Sequence, residues 1–150
     1  MGPVLCCLDD SDGARHALAV ARMLATRLEL ELVFVHVEPS TEAPGVSSAP
    51  AGQQRLQEAE LHDAESLLAR LAREAGLGPG PRTRTAIGDA AKQIVAICGE
   101  ERASLVVLGS RGRGGLASAV LGSVSSGVAA RAPCACVIVP PTAARQASIA

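Results

Sequence analysis

The chain has 150 residues, the length of one ordinary domain, and enough to bury roughly two thirds of its unfolded surface. Lys+Arg 14 against Asp+Glu 15 leaves the charge nearly balanced, so no electrostatic footprint for nucleic acid or for an anionic membrane is visible. With no charged-then-apolar leader and no apolar run of bilayer length, the expected address is the cytoplasm.

Apolar runs alternate with helical periodicity in the order βαβαβαβαβ, the pattern of a parallel α/β sheet. Val4 to Leu8 reads as the first strand. Ala14, Leu18, Ala21, Ala25 and Leu28 then recur at spacings of three and four, which predicts a helix from about Ser11. Leu30 to Val37 is the second strand. Pro39 to Gly52, rich in Pro, Ser, Ala and Gly, reads as a mobile surface loop. Gln53 to Ala75 carries Leu56, Leu61, Ala64, Leu67, Leu68 and Leu71 among charges and predicts a long amphipathic helix, with Gly76 suited to a left-handed cap. Thr83 to Ile87 is a weak third strand near an edge, and Asp89 is placed to cap a helix running through Gly99. Ser104 to Leu108 is short, apolar and free of charge, as befits a strand buried on both faces. A helix over Ser123 to Arg131 and a strand over Cys134 to Val139 complete the pattern. One domain over 1–142 and an unstructured tail over 143–150 are expected.

Five cysteines is an odd number, and Cys6, Cys7, Cys134 and Cys136 fall in strand-like runs where Cys serves as a small hydrophobe. Cys134 and Cys136 share a strand face, but without a Cys-x-x-Cys or a nearby His they do not make a metal or redox motif. His36, inside the second strand, reads as a satisfied core histidine, while His16 and His62 have no ligand partner at metal spacing. Phe34 is the lone aromatic, which also removes any stacking platform for single-stranded nucleic acid.

The segment that carries chemistry follows the fourth strand. Gly109, Gly112 and Gly122-Ser123 punctuate a loop that leaves a strand's carboxyl end and opens a helix. A helix start offers unpaired N–H groups and a positive dipole end, and a phosphate there gains charge-assisted hydrogen bonds worth roughly 1.5–3 kcal/mol each. Asp9, Asp10 and Asp12 cluster at the end of the first strand, and at least one of them or Ser11 must cap the following helix.

The spacing Gly, two residues, Gly, nine residues, Gly-Ser resembles the signature of the universal stress proteins, specifically of their ATP-binding branch. Val4 to Ser11, Leu32 to Val37, Gly88-Asp89 and Arg131 to Val139 resemble further landmarks of that family, so only the stretch from Pro39 to Gly52 lacks a counterpart. The resemblance implies a doubly wound, Rossmann-like, adenine nucleotide alpha hydrolase-like fold with five parallel strands in the order 3-2-1-4-5. It implies a nucleotide held at the carboxyl ends of strands one and four. Leu8 and Asp9 would meet the nucleoside, Val37 would present its backbone to adenine, and Leu108 and Gly109 would border the base and α-phosphate. Gly112 would let the loop close over the phosphates, and Gly122 and Ser123 would donate amides and a hydroxyl, with Val124 and Ser125 next in the helix start. Arg111 and Arg113 flank Gly112, where they can add charge to an outer phosphate. The cofactor implied is ATP, or AMP or ADP, with Mg or Mn carried by the phosphates near Asp9 and no metal ligand assigned to the protein itself.

Function follows as an adenine-nucleotide-binding stress or signalling protein with no or slow hydrolysis, at most a slow ATPase, since no Walker lysine and no evident base accompany the loop. The family also implies a homodimer through strand 134–139, whose exposed edge a second copy would cover. The alternatives are a dimeric scaffold that binds no nucleotide and, less well supported, an ATP-dependent adenylating enzyme. The latter needs a Ser-Gly-Gly-x-Asp-Ser loop where this chain has Asp9-Asp-Ser-Asp-Gly-Ala14. Dinucleotide oxidoreduction is disfavoured because the glycine loop follows the fourth strand and not the first.

Overall fold

The fold is taken from a computed structural model that describes residues 1–41, 50–112 and 121–141. Its elements are β1 (Val4–Cys7), α1 (Asp12–Leu28), β2 (Leu32–Glu38), α2 (Pro50–Glu74), β3 (Arg82–Ile87), α3 (Ala90–Glu100), β4 (Leu105–Gly109), α4 (Ser123–Arg131) and β5 (Ala135–Val139). The strands form one parallel sheet in the order β3-β2-β1-β4-β5, the order the sequence implied.

Alternation along the inner strands divides the core in two. Val4, Cys6, Phe34 and Val107 point to the face covered by α1 and α2, where they meet Ala17, Leu18, Ala21, Leu68 and Leu71. Leu5, Val33, Val35, Val106 and Leu108 point to the other face and meet Ala91, Ile94, Ile97 and Cys98 of α3 and Val128 of α4. Strands covered on both sides have no polar face to show, which is why β1 and β4 read as unbroken apolar runs.

Local chemistry sets the helix ends. Ser11, in an extended conformation, accepts the Ala14 amide at 3.1 Å, and Asp89 accepts the Lys92 amide at 2.9 Å. Gly76 takes the left-handed conformation expected after α2. The C-terminus of α1 was not legible: Glu29 is left-handed at φ 55°, and Leu30 donates back to the Ala25 carbonyl. This closing motif draws Leu30 out of the second strand, which begins at Leu32. β1 ends at Cys7, one residue early, while β4 runs one residue past Leu108 to Gly109. α2 starts at Pro50, inside the segment expected to be loop, because proline is pre-set for the first turn of a helix. Residues 42–49 of that loop, and the expected tail 143–150, lie outside the described residues.

The sheet is tied at its amino end by ions. Arg82 and Arg84 of the edge strand β3 both reach Glu101, Arg82 also reaches Glu31 at 3.1 Å, and Arg84 reaches Glu100 at 2.5 Å. None of the helices in the described residues is long and apolar enough to cross a membrane.

Candidate functional site

At the carboxyl end of the sheet, where β1 and β4 diverge to helices on opposite faces, lies a cavity of about 710 Å³. Such a switch point opens a crevice because the connections from neighbouring strands leave in opposite directions. Leu8, Asp9, Val37, Leu108, Gly109, Arg111, Gly112, Gly122, Ser123, Val124 and Ser125, all expected from sequence, border it. Arg113, also expected there, lies outside the described residues.

One wall is backbone. The Val35 carbonyl accepts the Leu8 amide at 2.8 Å, so odd-numbered residues of β2 turn their peptide groups toward β1. Two residues on, Val37 points the same way past the end of β1, and its N–H and C=O meet no hydrogen-bond partner toward β1 among the described residues. The apolar side of the slot is made by Val37, Ile94 and Leu108, with Leu121 and Val124 half-exposed at its rim.

The opposite wall is the start of α4. Gly122 is the N-cap and has no side chain to satisfy the first turn, and the amides of Ser123, Val124 and Ser125 have no acceptor among the described residues. The Gly122 amide itself donates to the Ser110 carbonyl at 2.8 Å, so the expected donor at this position is already engaged and the open donors begin at Ser123. Ser125 is buried, and its hydroxyl is shared between the Ser110 and Gly122 carbonyls at 3.0 Å each; it braces the loop and leaves only its backbone to a ligand.

The loop approaches the acidic turn closely at its glycines. A Cβ on Gly112 would lie 2.8 Å from Asp9 Oδ2, and one on Gly109 would lie 3.1 Å from the Gly13 carbonyl oxygen at the start of α1. At Gly109 the opposing atoms are backbone, so an added Cβ presses the loop off the start of α1 by a few tenths of an ångström, whereas at Gly112 the Asp9 carboxylate would have to swing aside.

The three acids have different surroundings. Asp9 borders the main cavity and accepts the Ser11 hydroxyl. Asp10 and Asp12 border a smaller recess beyond Arg111 and Gly112. Asp10 is bound by Arg70 and Arg15, each at 3.0 Å, and these two guanidinium groups hold its carboxyl below the usual range. It thereby ties α1 to α2 and is not a spare metal ligand. Of the three acids, Asp9 alone borders the main cavity. Among the described residues no three His, Cys, Asp or Glu side chains converge as a metal-binding group.

Sequence reasoning missed His36 and Glu38 as wall residues. His36 is nearly fully buried; its Nδ1 lies 2.6 Å from the Leu8 carbonyl and its Nε2 lies 2.9 Å from Glu38 Oε1. The satisfied histidine expected from the strand pattern is therefore present. The Leu8 carbonyl can only accept, so Nδ1–H donates to it. The i, i+2 spacing on a strand was the available signal, since it puts both side chains on one face.

An open, doubly wound parallel sheet with a crevice at its switch point defines a Rossmann-like domain. The model of the Universal stress protein family matches residues 1–140, and the chain belongs to that family. A Thermus aquaticus relative, the universal stress protein in the QAH/OAS sulfhydrylase 3' region, is 35% identical over 140 residues, covering 91% of this chain and 96% of its own. The Mycobacterium tuberculosis universal stress protein Rv2005c is 39% identical over 137 residues; 87% of this chain aligns, but it spans only 43% of that longer protein. Among solved structures, universal stress protein UspA from Lactobacillus plantarum superposes with a TM-score of 0.73 at 23% identity, covering 92% of this chain and 97% of its own. A universal stress protein in complex with cAMP gives 0.67 at 21% identity, covering 92% and 96%. One from Archaeoglobus fulgidus in complex with dAMP gives 0.57 at 20% identity, covering 92% and 97%.

Proposed function

We propose that this chain binds an adenine nucleotide, ATP by preference, and serves as a binding or signalling protein of the ATP-binding branch of its family, with absent or slow hydrolysis. The observation that carries this reading is the pairing of two unsatisfied backbone surfaces across one cavity: the Val37 peptide groups at the end of β2 and the amides of Ser123 to Ser125 at the start of α4. The first suits a flat heterocycle that both donates and accepts, seated against Val37, Ile94 and Leu108. The second suits phosphate, at the positive end of a helix. Asp9 stands where a ribose hydroxyl can donate to it. The relatives solved with cAMP and dAMP support the adenine class of ligand.

Slow turnover follows from what the walls are engaged in. Phosphoryl transfer to water needs a positioned base, a metal ligand and a charge stabiliser together. The wall carboxylates Asp9 and Glu38 are both held within the wall, by Ser11 and His36. Mg²⁺ or Mn²⁺ would enter with the phosphates and offset the Asp9 charge. The chain also pairs as a homodimer in this reading, through the outer edge of β5, which lies at the end of the sheet.

The test is calorimetric titration with ATP, AMP and cAMP, with and without Mg²⁺, beside Gly122→Val. A Cβ at Gly122 would lie 3.2 Å from the Ser110 carbonyl oxygen, so the branched side chain moves the loop that the Gly122 amide fastens. Saturable ATP binding that falls at least about tenfold in the variant, a loss of about 1.4 kcal/mol, is the expected result. A folded wild type that binds none of the three would overturn the proposal in favour of a nucleotide-free scaffold.

A further inference from the structure

Four of the five cysteines, Cys7, Cys98, Cys134 and Cys136, pack on the same face of the sheet, around the core that α3 and α4 cover. Only Cys6 belongs to the other face. Nothing in nucleotide binding calls for sulfur at Cys98 or Cys134, which lie toward the end of the sheet opposite the cavity.

Backbone connections bring these two together. The Cys98 carbonyl, in the last full turn of α3, accepts the Ala103 amide at 3.0 Å. Ser104 follows Ala103, and Leu105 of β4 pairs with Ala135 of β5, so Ser104 and Cys134 stand at the same level one step before the ladder. Cys98 and Cys134 therefore flank the 103–104 segment from the helix above and the edge strand beside it. Cys134 is half-buried at the rim, whereas Cys98 is 1% exposed.

We propose that Cys98 and Cys134 form an oxidisable thiol pair, a modification site that closes to an intramolecular disulfide between α3 and the start of β5 when the protein meets a hydroperoxide. Cys134, the more exposed residue of the two, is oxidised first: RSH and ROOH give the sulfenic acid RSOH and the alcohol ROH, or water when the oxidant is hydrogen peroxide. The Cys98 sulfur then attacks the Cys134 sulfur, forming the S–S bond. The hydroxyl group leaves and takes up the Cys98 proton, so one water departs. Two thiols are oxidised by two electrons and one peroxide is reduced.

Burial first, and then the neighbouring Cys134 sulfur, push the Cys98 thiol up to about 12. The attacking thiolate is a minor species at neutral pH, so ring closure is slow and accelerates as pH rises.

The test uses the full chain, folded and unliganded. It is treated with hydrogen peroxide at pH 7 and at pH 8.5, unfolded in acidic denaturant where thiols do not exchange, its remaining thiols are alkylated there with a maleimide, and the tryptic peptides are mapped. Cys98 falls in peptide 93–102, while Cys134 and Cys136 share peptide 132–145, so Cys134→Ser and Cys136→Ser decide which sulfur is joined. The expected result is a linked pair of these peptides in monomer-sized chains, forming faster at pH 8.5, lost in Cys134→Ser and kept in Cys136→Ser. Five free thiols after treatment, a link through Cys136, a link between chains, or Cys134 over-oxidised without a link would each overturn the proposal. Should a serine variant fail to fold, fragmentation of the linked wild-type peptide decides the matter, since the alkyl group sits on Cys136 if Cys134 is joined and on Cys134 if Cys136 is joined.

Discussion

A Cβ added at Gly127 would lie 2.9 Å from the Ala91 Cβ, because α4 crosses α3 at this point with no side chain between them. Gly127→Ala sets two effects of known size against each other. Replacing an interior helical glycine by alanine stabilises a helix by about 1 kcal/mol. Methyl carbons pack no closer than about 3.5 Å, so at 2.9 Å the two helices must part by several tenths of an ångström. Neither atom can rotate away, since each is bonded directly to its backbone, and overpacking of this kind costs about 1–3 kcal/mol. The clash wins, with a net loss of about 1 kcal/mol and a fall in Tm of about 2–4 °C for a domain of this size. Because Ala90 of α3 and Ser123 of α4 both line the cavity, parting the helices also weakens nucleotide binding. The assay is urea unfolding of the four members of the cycle made with Ala91→Gly. Coupling of about 1 kcal/mol or more is expected, the second substitution making room for the first. A Gly127→Ala protein more stable than the wild type, or additive substitutions, would refute the reasoning.

Glu101 is held at about 2, against an ordinary value of 4.5, chiefly by Arg82 and then by Arg84. A carboxyl depressed in the folded state contributes stability that is complete above pH 4.5 and is lost as pH falls from there through 2. Since both arginines are about a third or more exposed, Glu101→Gln is expected to cost only about 1 kcal/mol at pH 7 and almost nothing at pH 2, read by denaturant titration at the two values. A cost that stays the same at both would remove the ion pairs as its cause. At the other edge, Val137→Lys places a charge in β5 on the proposed pairing edge; sedimentation is expected to show a dimer become a monomer, and an unchanged dimer would place the interface elsewhere.

The sequence could be read where one residue type has one local use. Ser11 and Asp89 stand before apolar-periodic runs, and both cap their helices; the alternation Val4, Leu5, Cys6 announces a strand with two covered faces. Glycine spacing located the cavity as well, since Gly109 and Gly112 occupy places where a Cβ would strike Gly13 or Asp9. What escaped depends on residues distant in sequence. Glu29 adopts a left-handed conformation that a rank of propensities gives to glycine, and the packing of α1 against the sheet overrides that preference. The engagement of Gly122 by Ser110, and of Asp10 by Arg70 sixty residues away, cannot be seen in a local window. The His36–Glu38 pair was open to its i, i+2 spacing, but its other partner, the Leu8 carbonyl just past the end of β1, is distant in sequence.

In the proposed site the ligand is met mainly by backbone: peptide groups of Val37 on one side and of Ser123 to Ser125 on the other. Backbone donors are aimed by the fold itself, so they are little affected by which side chains surround them. The dependence on glycine is sharpest at Gly109, where an added Cβ would meet the Gly13 backbone at 3.1 Å. Recognition by backbone also bears on hydrolysis. Backbone amides stabilise phosphate charge in the bound nucleotide much as in its transition state, and interactions equal in both lower the dissociation constant without raising the rate. If the proposed nucleotide binds there, such a pocket would retain it, and the differential stabilisation that turnover requires would have to come from side chains that the walls already hold in other bonds.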